Sequence, residues 1–188
     1  LQVELKLSTT LLGALDTAFL IAYTCGQFVN GPLGDSIGAR AMVSGGLFGT
    51  AVVLYFHGTV SVASTLVALA FVHGCFQSCA FAACVKTLTP WLAASERGTK
   101  MGLWNTCSPF GGVAGTAIGT ALLGGWGWRA AFQFPALPIA MLGMLCQVLL
   151  VDSPAAQGFG TADEVMAEPN DASIESGNAG VGAGGGGG

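Results

Sequence analysis

The most regular feature of the sequence is a set of five long apolar stretches separated by short polar segments. Each contains about 17 or more residues with few charges, which is enough for a helix to cross the hydrocarbon core of a bilayer. The stretches cover about residues 11–33, 41–57, 62–88, 101–123 and 130–151. We therefore predict an all-α, polytopic membrane helix bundle, with a transmembrane domain over residues 1–152.

The composition of the chain indicates the same class. Hydrophobic residues make up 52% of the chain and charged residues 9%, whereas a soluble domain carries about 25% charged residues. The formal net charge of −4 comes from acidic residues that follow the last apolar stretch, and it does not point to a nucleic-acid partner. We expect the chain to be surrounded by a lipid bilayer and to bind no nucleic acid.

The residues after the last apolar stretch have a different character. Residues 153–188 contain five acidic residues and no Lys or Arg, and they end in a run of five glycines. Such a segment cannot bury enough apolar surface to offset the entropy lost on ordering. We predict a disordered cytoplasmic linker or tail, acidic at first and then rich in glycine.

The basic residues predict the orientation, because Lys and Arg in short loops stay in the cytoplasm. Arg40 follows the first stretch, and Arg97 and Lys100 follow the third, so both loops belong on the cytoplasmic side. An odd number of spans then puts the N-terminus on the opposite side. This arrangement predicts that an opening helix precedes Leu1 in the complete protein.

Small residues recur at intervals of four within the apolar stretches. Gly45 and Gly49 lie in the second stretch, and Gly111, Gly115 and Gly119 lie in the fourth. In lipid, such rows allow helix backbones to approach closely. We predict packing faces, and a sliding surface used in transport is compatible with the same pattern.

Residues that could support chemistry are scattered. The six cysteines all lie in apolar stretches, where a thiol behaves as a small hydrophobic group, and no His or Asp accompanies them at metal-ligand spacing. No nucleophile stands near a general base in a recognisable motif. We expect packing cysteines, no metal site, no cofactor and no enzymatic activity. The cysteines are Cys25, Cys75, Cys79, Cys84, Cys107 and Cys146.

A short charged segment separates the first two apolar stretches. Its residues Gly31, Asp35, Gly38 and Arg40 match the signature G-x-x-x-D-x-x-G-x-R/K of the major facilitator superfamily. In that family the signature lies between the second and third helices. The position of the match between two spans, on the side with basic loops, makes the resemblance specific.

Three further motifs make the chain resemble one branch of that superfamily, the organophosphate:phosphate antiporters. They follow the signature in the same order as in that branch and extend the resemblance over residues 11–160. The motifs are Glu96-Arg97-Gly98-Thr99 with Gly102-Leu103-Trp104-Asn105-Thr106, then Gly127-Trp128-Arg129-Ala130, then Asp152-Ser153-Pro154 with Gln157-Gly158-Phe159.

The resemblance implies that the five stretches are helices two to six of a twelve-helix fold, within the N-terminal half. It implies secondary active transport that exchanges a sugar phosphate or glycerol 3-phosphate for inorganic phosphate by alternating access. The partners would then be organic phosphate, inorganic phosphate and the missing second half of the same protein.

The membrane favoured by the resemblance is the endoplasmic reticulum or another endomembrane, with the plasma membrane or another organelle as alternatives. The alternative function is a noncatalytic half-transporter remnant that acts as a membrane interaction protein or has no function.

The resemblance also suggests roles for the charged signature residues. Asp35 and Arg40 would belong to a cytoplasmic charge network that stabilises the outward-facing state, because attraction between charges strengthens where water is excluded. The alternative is that both are solvated loop charges that only set the orientation of the chain.

Lys86 is the only basic residue within an apolar stretch. An ammonium binds phosphate as a point charge, and a charge within the membrane is costly unless it is paired or hydrated. Lys86 is therefore a candidate for contact with a substrate anion. An alternative of equal weight is that the side chain of Lys86 extends to the cytoplasmic headgroups.

Three uncharged residues complete the candidate substrate path. Trp104 and Asn105 open the fourth stretch, where their N–H groups could bind substrate oxygens or, as we prefer, a neighbouring helix. Gln27 lies where some bacterial relatives have a Lys, and it matches the eukaryotic branch instead.

Three remaining polar residues lie within apolar stretches. His57 and His73 are isolated from carboxylates in the sequence, and we predict structural roles for them. Asp16 either caps the N-terminus of a helix, where the dipole favours a carboxylate, or belongs to an outer gate. We prefer capping.

Overall fold

The computed structural model describes residues 8–154, 158–160 and 162. These residues form helices and connecting turns, and no strand is present among them, which confirms the predicted all-α class. Residues 163–188, which contain most of the predicted tail, lie outside the described residues. The helices are α1 (Thr9–Ile37), α2 (Ala39–His57), α3 (Ala63–Leu88), a 3₁₀ turn (Thr89–Trp91), α4 (Ala94–Asn105) and α5 (Cys107–Leu149).

Helix α1 begins at a side-chain cap and ends at a glycine. The side chain of Ser8 accepts a hydrogen bond from the backbone N–H of Leu11, which satisfies one of the free donors of the first turn. At the other end, Gly38 has a φ of +91°, a conformation that glycine adopts without a steric penalty. A single residue therefore separates α1 from α2, and the signature residues up to Ile37 are helical.

The fourth and fifth predicted spans lie in one long helical run. Helix α5 has 43 residues, and its only non-helical backbone angles are those of Gly127, with φ +81° and ψ 175°. Four helical runs in the described residues are long and apolar enough to cross a membrane, and the last of them joins α4 to α5 over 56 residues. Because about 20 helical residues span a bilayer, that run is too long for one crossing.

Helix α3 lies at the centre of the packing. It contacts α1 on one side and α2 on another, and α2 also contacts α5. The approach is close at two glycines: a Cβ on Gly74 would lie 2.4 Å from the carbonyl oxygen of Phe19, and a Cβ on Gly46 would lie 2.8 Å from that of Phe76. The backbones touch because these side chains are absent.

The predicted small-residue rows differ in their surroundings. A Cβ on Gly49 would collide with the ring of Phe76, whereas Gly45 has open space beside it. No described residue lies within 4 Å of a Cβ built on Gly111, Gly115 or Gly119. A packing role for the row in α5 therefore stays a prediction.

A buried apolar cluster lies near the α1–α2 junction. Met42 and Val43 of α2 pack against Ala83 of α3. Cys79, Cys84 and Cys146 pack around this cluster with other partly buried apolar residues. These three thiols occupy the predicted packing positions, whereas Cys25 and Cys107 are exposed.

Candidate functional site

The signature residues surround a junction between α1, α2, α3 and the segment after α5. Gly38 forms the turn, and the backbone N–H of Arg40 in the first turn of α2 donates to Oδ1 of Asp152 at 2.6 Å. A Cβ on Gly38 would lie 3.6 Å from the same carboxylate oxygen. Because Gly38 has no side chain to cap α2, Asp152 supplies the capping oxygen from 112 residues away in the sequence.

Lys86 pairs with the signature carboxylate. Its Nζ lies 2.6 Å from Oδ1 of Asp35 and also donates to the carbonyl oxygen of Gly31. The side chain of Lys86 is partly exposed, at 38%, whereas that of Asp35 is exposed, at 73%. The ion pair joins the C-terminal ends of α1 and α3, so the ammonium of Lys86 is compensated by Asp35 in this conformation.

The side chain of Arg40 is not part of this ion pair, and its role in a charge network stays a prediction. Its Nε is buried and has no hydrogen-bond partner among the described residues, and the carboxylate of Asp35 pairs with Lys86. Of the four signature residues, Gly31 and Asp35 therefore face Lys86, while Gly38 and Arg40 face Asp152. The junction contains two adjacent polar contacts.

A buried polar contact lies deeper along the same two helices. Nδ2 of Asn30 donates to Oγ of Ser78 at 2.8 Å, and Ser78 donates to the carbonyl oxygen of Cys75 at 2.7 Å. Ser78 is fully buried and Asn30 is 6% exposed. Neither residue was predicted from the sequence, although an Asn inside an apolar stretch is costly and indicates a polar partner.

Helices α2 and α5 are joined by a second polar contact that the sequence analysis missed. Oγ of Ser44 is hydrogen-bonded to Oε1 of Gln147 and to the carbonyl oxygen of Arg40 at 2.8 Å. Gln147 lies five residues before Asp152, so this bond and the Asp152 cap attach the end of α5 to the start of α2. Ser44 and Gln147 are also polar residues within apolar stretches, and this feature could have identified them.

The uncharged candidates lie apart from the Asp35–Lys86 pair. The ring of Trp104 lies 5.4 Å from that of Phe81, centroid to centroid, so α4 contacts α3 there. Asn105 is the last residue of α4 and is exposed. Gln27 is half-buried on α1, where its side chain is hydrogen-bonded to Tyr23.

Asp16 does not cap a helix, so the preferred prediction for this residue was wrong. Helix α1 begins at Thr9, two turns before Asp16, because Ser8 provides a capping hydroxyl earlier in the chain. Asp16 instead lines a cavity together with His57 and His73. The two histidines come from different helices, and no local pattern indicates that they meet.

Long apolar helices joined by isolated polar contacts are typical of multi-pass helical membrane proteins. Residues 1–174 match the family model of the Major Facilitator Superfamily. The chain belongs to this family, and the resemblance predicted from the signature is confirmed.

Relatives of the chain carry names from the predicted branch. Putative glycerol-3-phosphate transporter 3 of Arabidopsis thaliana is 37% identical over 154 residues, which cover 79% of this chain and 30% of the relative. Glucose-6-phosphate exchanger SLC37A2 of Xenopus laevis is 30% identical over 153 residues, 79% of this chain and 30% of the relative. Glycerol-3-phosphate transporter of Bacillus subtilis is 31% identical over 168 residues, 86% of this chain and 37% of the relative. The chain thus spans about a third of the length of these relatives.

Proposed function

We propose that this chain is part of a secondary active transporter that exchanges glycerol 3-phosphate or a sugar phosphate for inorganic phosphate by alternating access. Similarity to glycerol-3-phosphate transporters and a glucose-6-phosphate exchanger supports the substrate class. The observation that carries the proposal is the Asp35–Lys86 pair, which places the single cation of the apolar stretches at the signature junction. Transport requires no covalent step, and we propose no enzymatic activity.

The Asp35–Lys86 pair suggests how the junction contributes to the transport cycle. A carboxylate and an ammonium in contact attract more strongly where water is excluded, so closure of the cytoplasmic end would strengthen the pair. Opening of that end hydrates both groups and weakens their attraction. The pair therefore stabilises a conformation closed at the cytoplasmic end, with Asp152 holding the start of α2 beside it. Substrate anions then bind elsewhere along the path, with Gln27, Trp104 and Asn105 as candidates.

The direct test is uptake into liposomes that contain the longest product of the transcript and are loaded with inorganic phosphate. We expect uptake of glycerol 3-phosphate or glucose 6-phosphate that depends on internal phosphate. Absence of phosphate-dependent uptake across a panel of sugar phosphates would contradict the substrate class.

Two variants test the role of the ion pair. Lys86→Gln should lower the uptake rate by up to about fivefold, since the closed conformation loses an exposed ion pair that contributes at most about 1 kcal/mol. The matched control is Lys100→Gln, which removes an exposed Lys paired within one helix with Glu96. Equal uptake by the Lys86 variant and the wild type would show that the pair has no part in the cycle.

A second candidate function is a noncatalytic membrane interaction protein. It is the alternative to the transporter that the resemblance leaves open. Expression of the 188-residue chain by itself distinguishes the two functions, because transport by alternating access needs two halves that move against each other. Uptake by the longer product and none by the chain alone supports the transporter; no longer product in the source cells supports the interaction protein.

For location, we propose a multi-pass protein of the endoplasmic reticulum or another endomembrane. The apolar helical runs and the family support integration into a membrane. Fluorescence microscopy of the tagged full-length product with organelle markers tests the compartment.

A further inference from the structure

Helix α1 contains a proline close to its C-terminal end. Pro32 lies inside the helix, which ends at Ile37. Because proline has no backbone N–H, the carbonyl oxygen of Phe28 lacks the donor that a helix normally provides, and the proline ring crowds that carbonyl. Sharp bends in helices occur at such positions. The helical hydrogen bonding of α1 is therefore interrupted at Pro32.

The part of α1 before Pro32 packs tightly against α3. A Cβ on Gly26 would collide with Oγ of Ser78, so the two helices approach closely because that side chain is absent. Nδ2 of Asn30 donates to the same Oγ at 2.8 Å, and both side chains are buried. Breaking this bond would leave buried polar groups without partners, which is costly. The Asn30–Ser78 bond therefore fixes α1 on α3 just before Pro32.

The part of α1 after Asn30 approaches α3 less closely. No described residue lies within 4 Å of a Cβ built on Gly31, and a Cβ on Gly34 would lie 3.9 Å from Cδ of Lys86, an ordinary contact. Lys86 binds the carbonyl oxygen of Gly31 and the carboxylate of Asp35. Because Asp35 is exposed, water competes for this ion pair and the pair separates at little cost.

A second joint follows at the end of α1. Gly38 has a positive φ and forms a turn of one residue, and Asp152 holds the backbone of Arg40 just beyond it. Residues 33–37, which we call the flap, are thus a short helical segment between a proline and a glycine. The chain on each side of the flap is anchored, by Ser78 before it and by Asp152 after it.

We propose that Pro32 is a hinge about which the flap swings, with Lys86 as its latch. In the conformation described here the latch is closed, because Asp35 on the flap is paired with Lys86. Swinging about Pro32 and Gly38 carries Asp35 away from Lys86 while the Asn30–Ser78 bond stays intact. The hinge gives the proposed transport cycle a moving part at the signature junction. It rests on that proposal only for its use in transport.

The hinge can be measured by electron paramagnetic resonance on the 188-residue chain in lipid nanodiscs. Spin labels attached through an unnatural ketone side chain leave the six cysteines unchanged. One pair of labels, at the exposed positions Ile37 and Trp91, joins the flap to the turn after α3. The other pair, at exposed Leu20 and Trp91, joins the anchored part of α1 to the same turn.

Lys86→Gln removes the latch. We expect the population with a longer Ile37–Trp91 distance to rise about twofold to fivefold, as loss of an exposed ion pair allows, while the Leu20–Trp91 distance stays the same. The matched control is Lys100→Gln, which removes an ion pair within α4 and should change neither distance. Equal changes in both distances, or a change in neither, would overturn the proposal.

Pro32→Ala, added to Lys86→Gln, tests the hinge residue. Alanine supplies the missing N–H and favours helix, so the population with the longer distance should fall about threefold or more. An unchanged population would show that Pro32 is not the hinge. The Leu20–Trp91 distance reports whether each variant keeps the α1–α3 packing. These measurements need no substrate, so failure of the hinge is distinguishable from failure of phosphate exchange.

Discussion

At the residue scale, the carboxylate of Asp152 supplies the capping oxygen that the residues next to the start of α2 do not provide. Gly38 is suited to the turn because of its positive φ, but it cannot cap the helix that follows. Asp152 accepts from the backbone of Arg40 instead. The residue that allows the tight turn and the residue that caps the next helix are thus separate, and the end of α5 is bound to the signature junction as a result.

This arrangement predicts the effect of replacing Asp152. Asp152→Ala should lower the free energy of unfolding by about 1 kcal/mol, the typical cost of losing an N-terminal cap. Asp152→Asn should retain part of the stabilisation by the cap, since an amide oxygen still accepts the hydrogen bond. The measurement is unfolding of the purified chain in detergent, with Glu96→Ala as a control outside the junction. Equal stability of the Ala variant and the wild type would refute the capping role.

The residue scale also shows which candidates could be found from the sequence. Asp35 and Lys86 stood out individually because charges near or within apolar stretches are rare. Their pairing could not be deduced, since Lys86 lies 51 residues after Asp35 and its side chain had two other plausible destinations. The His57–His73 contact was missed for the same reason, because each histidine is isolated in its own helix.

At the element scale, glycines determine how closely the helices approach. Gly74 of α3 lies against the backbone of Phe19, with no room for a Cβ. By contrast, no described residue lies within 4 Å of a Cβ built on Gly111 of α5. Similar residues in similar helices therefore have different surroundings, and sequence spacing did not distinguish them.

Alanine substitution separates these two environments. Gly74→Ala should destabilise the α1–α3 contact by about 1–3 kcal/mol, because the added methyl group overpacks a closed interface. Gly111→Ala should instead stabilise its helix by up to about 1 kcal/mol, because alanine favours helix more than glycine does. Both effects can be measured as shifts in the unfolding midpoint of the chain in detergent. A strong loss of stability in the Gly111 variant would mean that another surface packs against this part of α5.

At the scale of the whole molecule, the main issue is how the long run from α4 through α5 crosses the bilayer. The break at Gly127 falls between the fourth and fifth predicted spans. Arg129, just after the break, contacts Ser61 in the turn between α2 and α3. We propose that both turns lie on the noncytoplasmic side and that the run crosses the membrane twice.

Glycosylation mapping tests this topology. An acceptor sequence with polar spacers inserted between Thr59 and Ser61, or next to Gly125, should be glycosylated, because both sites would face the lumen. The same insertion next to Arg97 should stay unmodified, since basic loops remain in the cytoplasm. The readout is a mass shift that is removed by glycosidase. Modification at the Arg97 site, or at only one of the other two, would contradict the five-span arrangement.

The sequence by itself determined the class and the family, because burial in lipid requires long apolar stretches and the signature motifs are local. Tertiary structure decided which polar groups meet: Lys86 with Asp35, Asp152 with the start of α2, and His57 with His73. These contacts join residues far apart in the chain, and they depend on the rotation and separation of packed helices. A local pattern can show that a polar residue in the membrane needs a partner, but only the packing of the helices selects that partner.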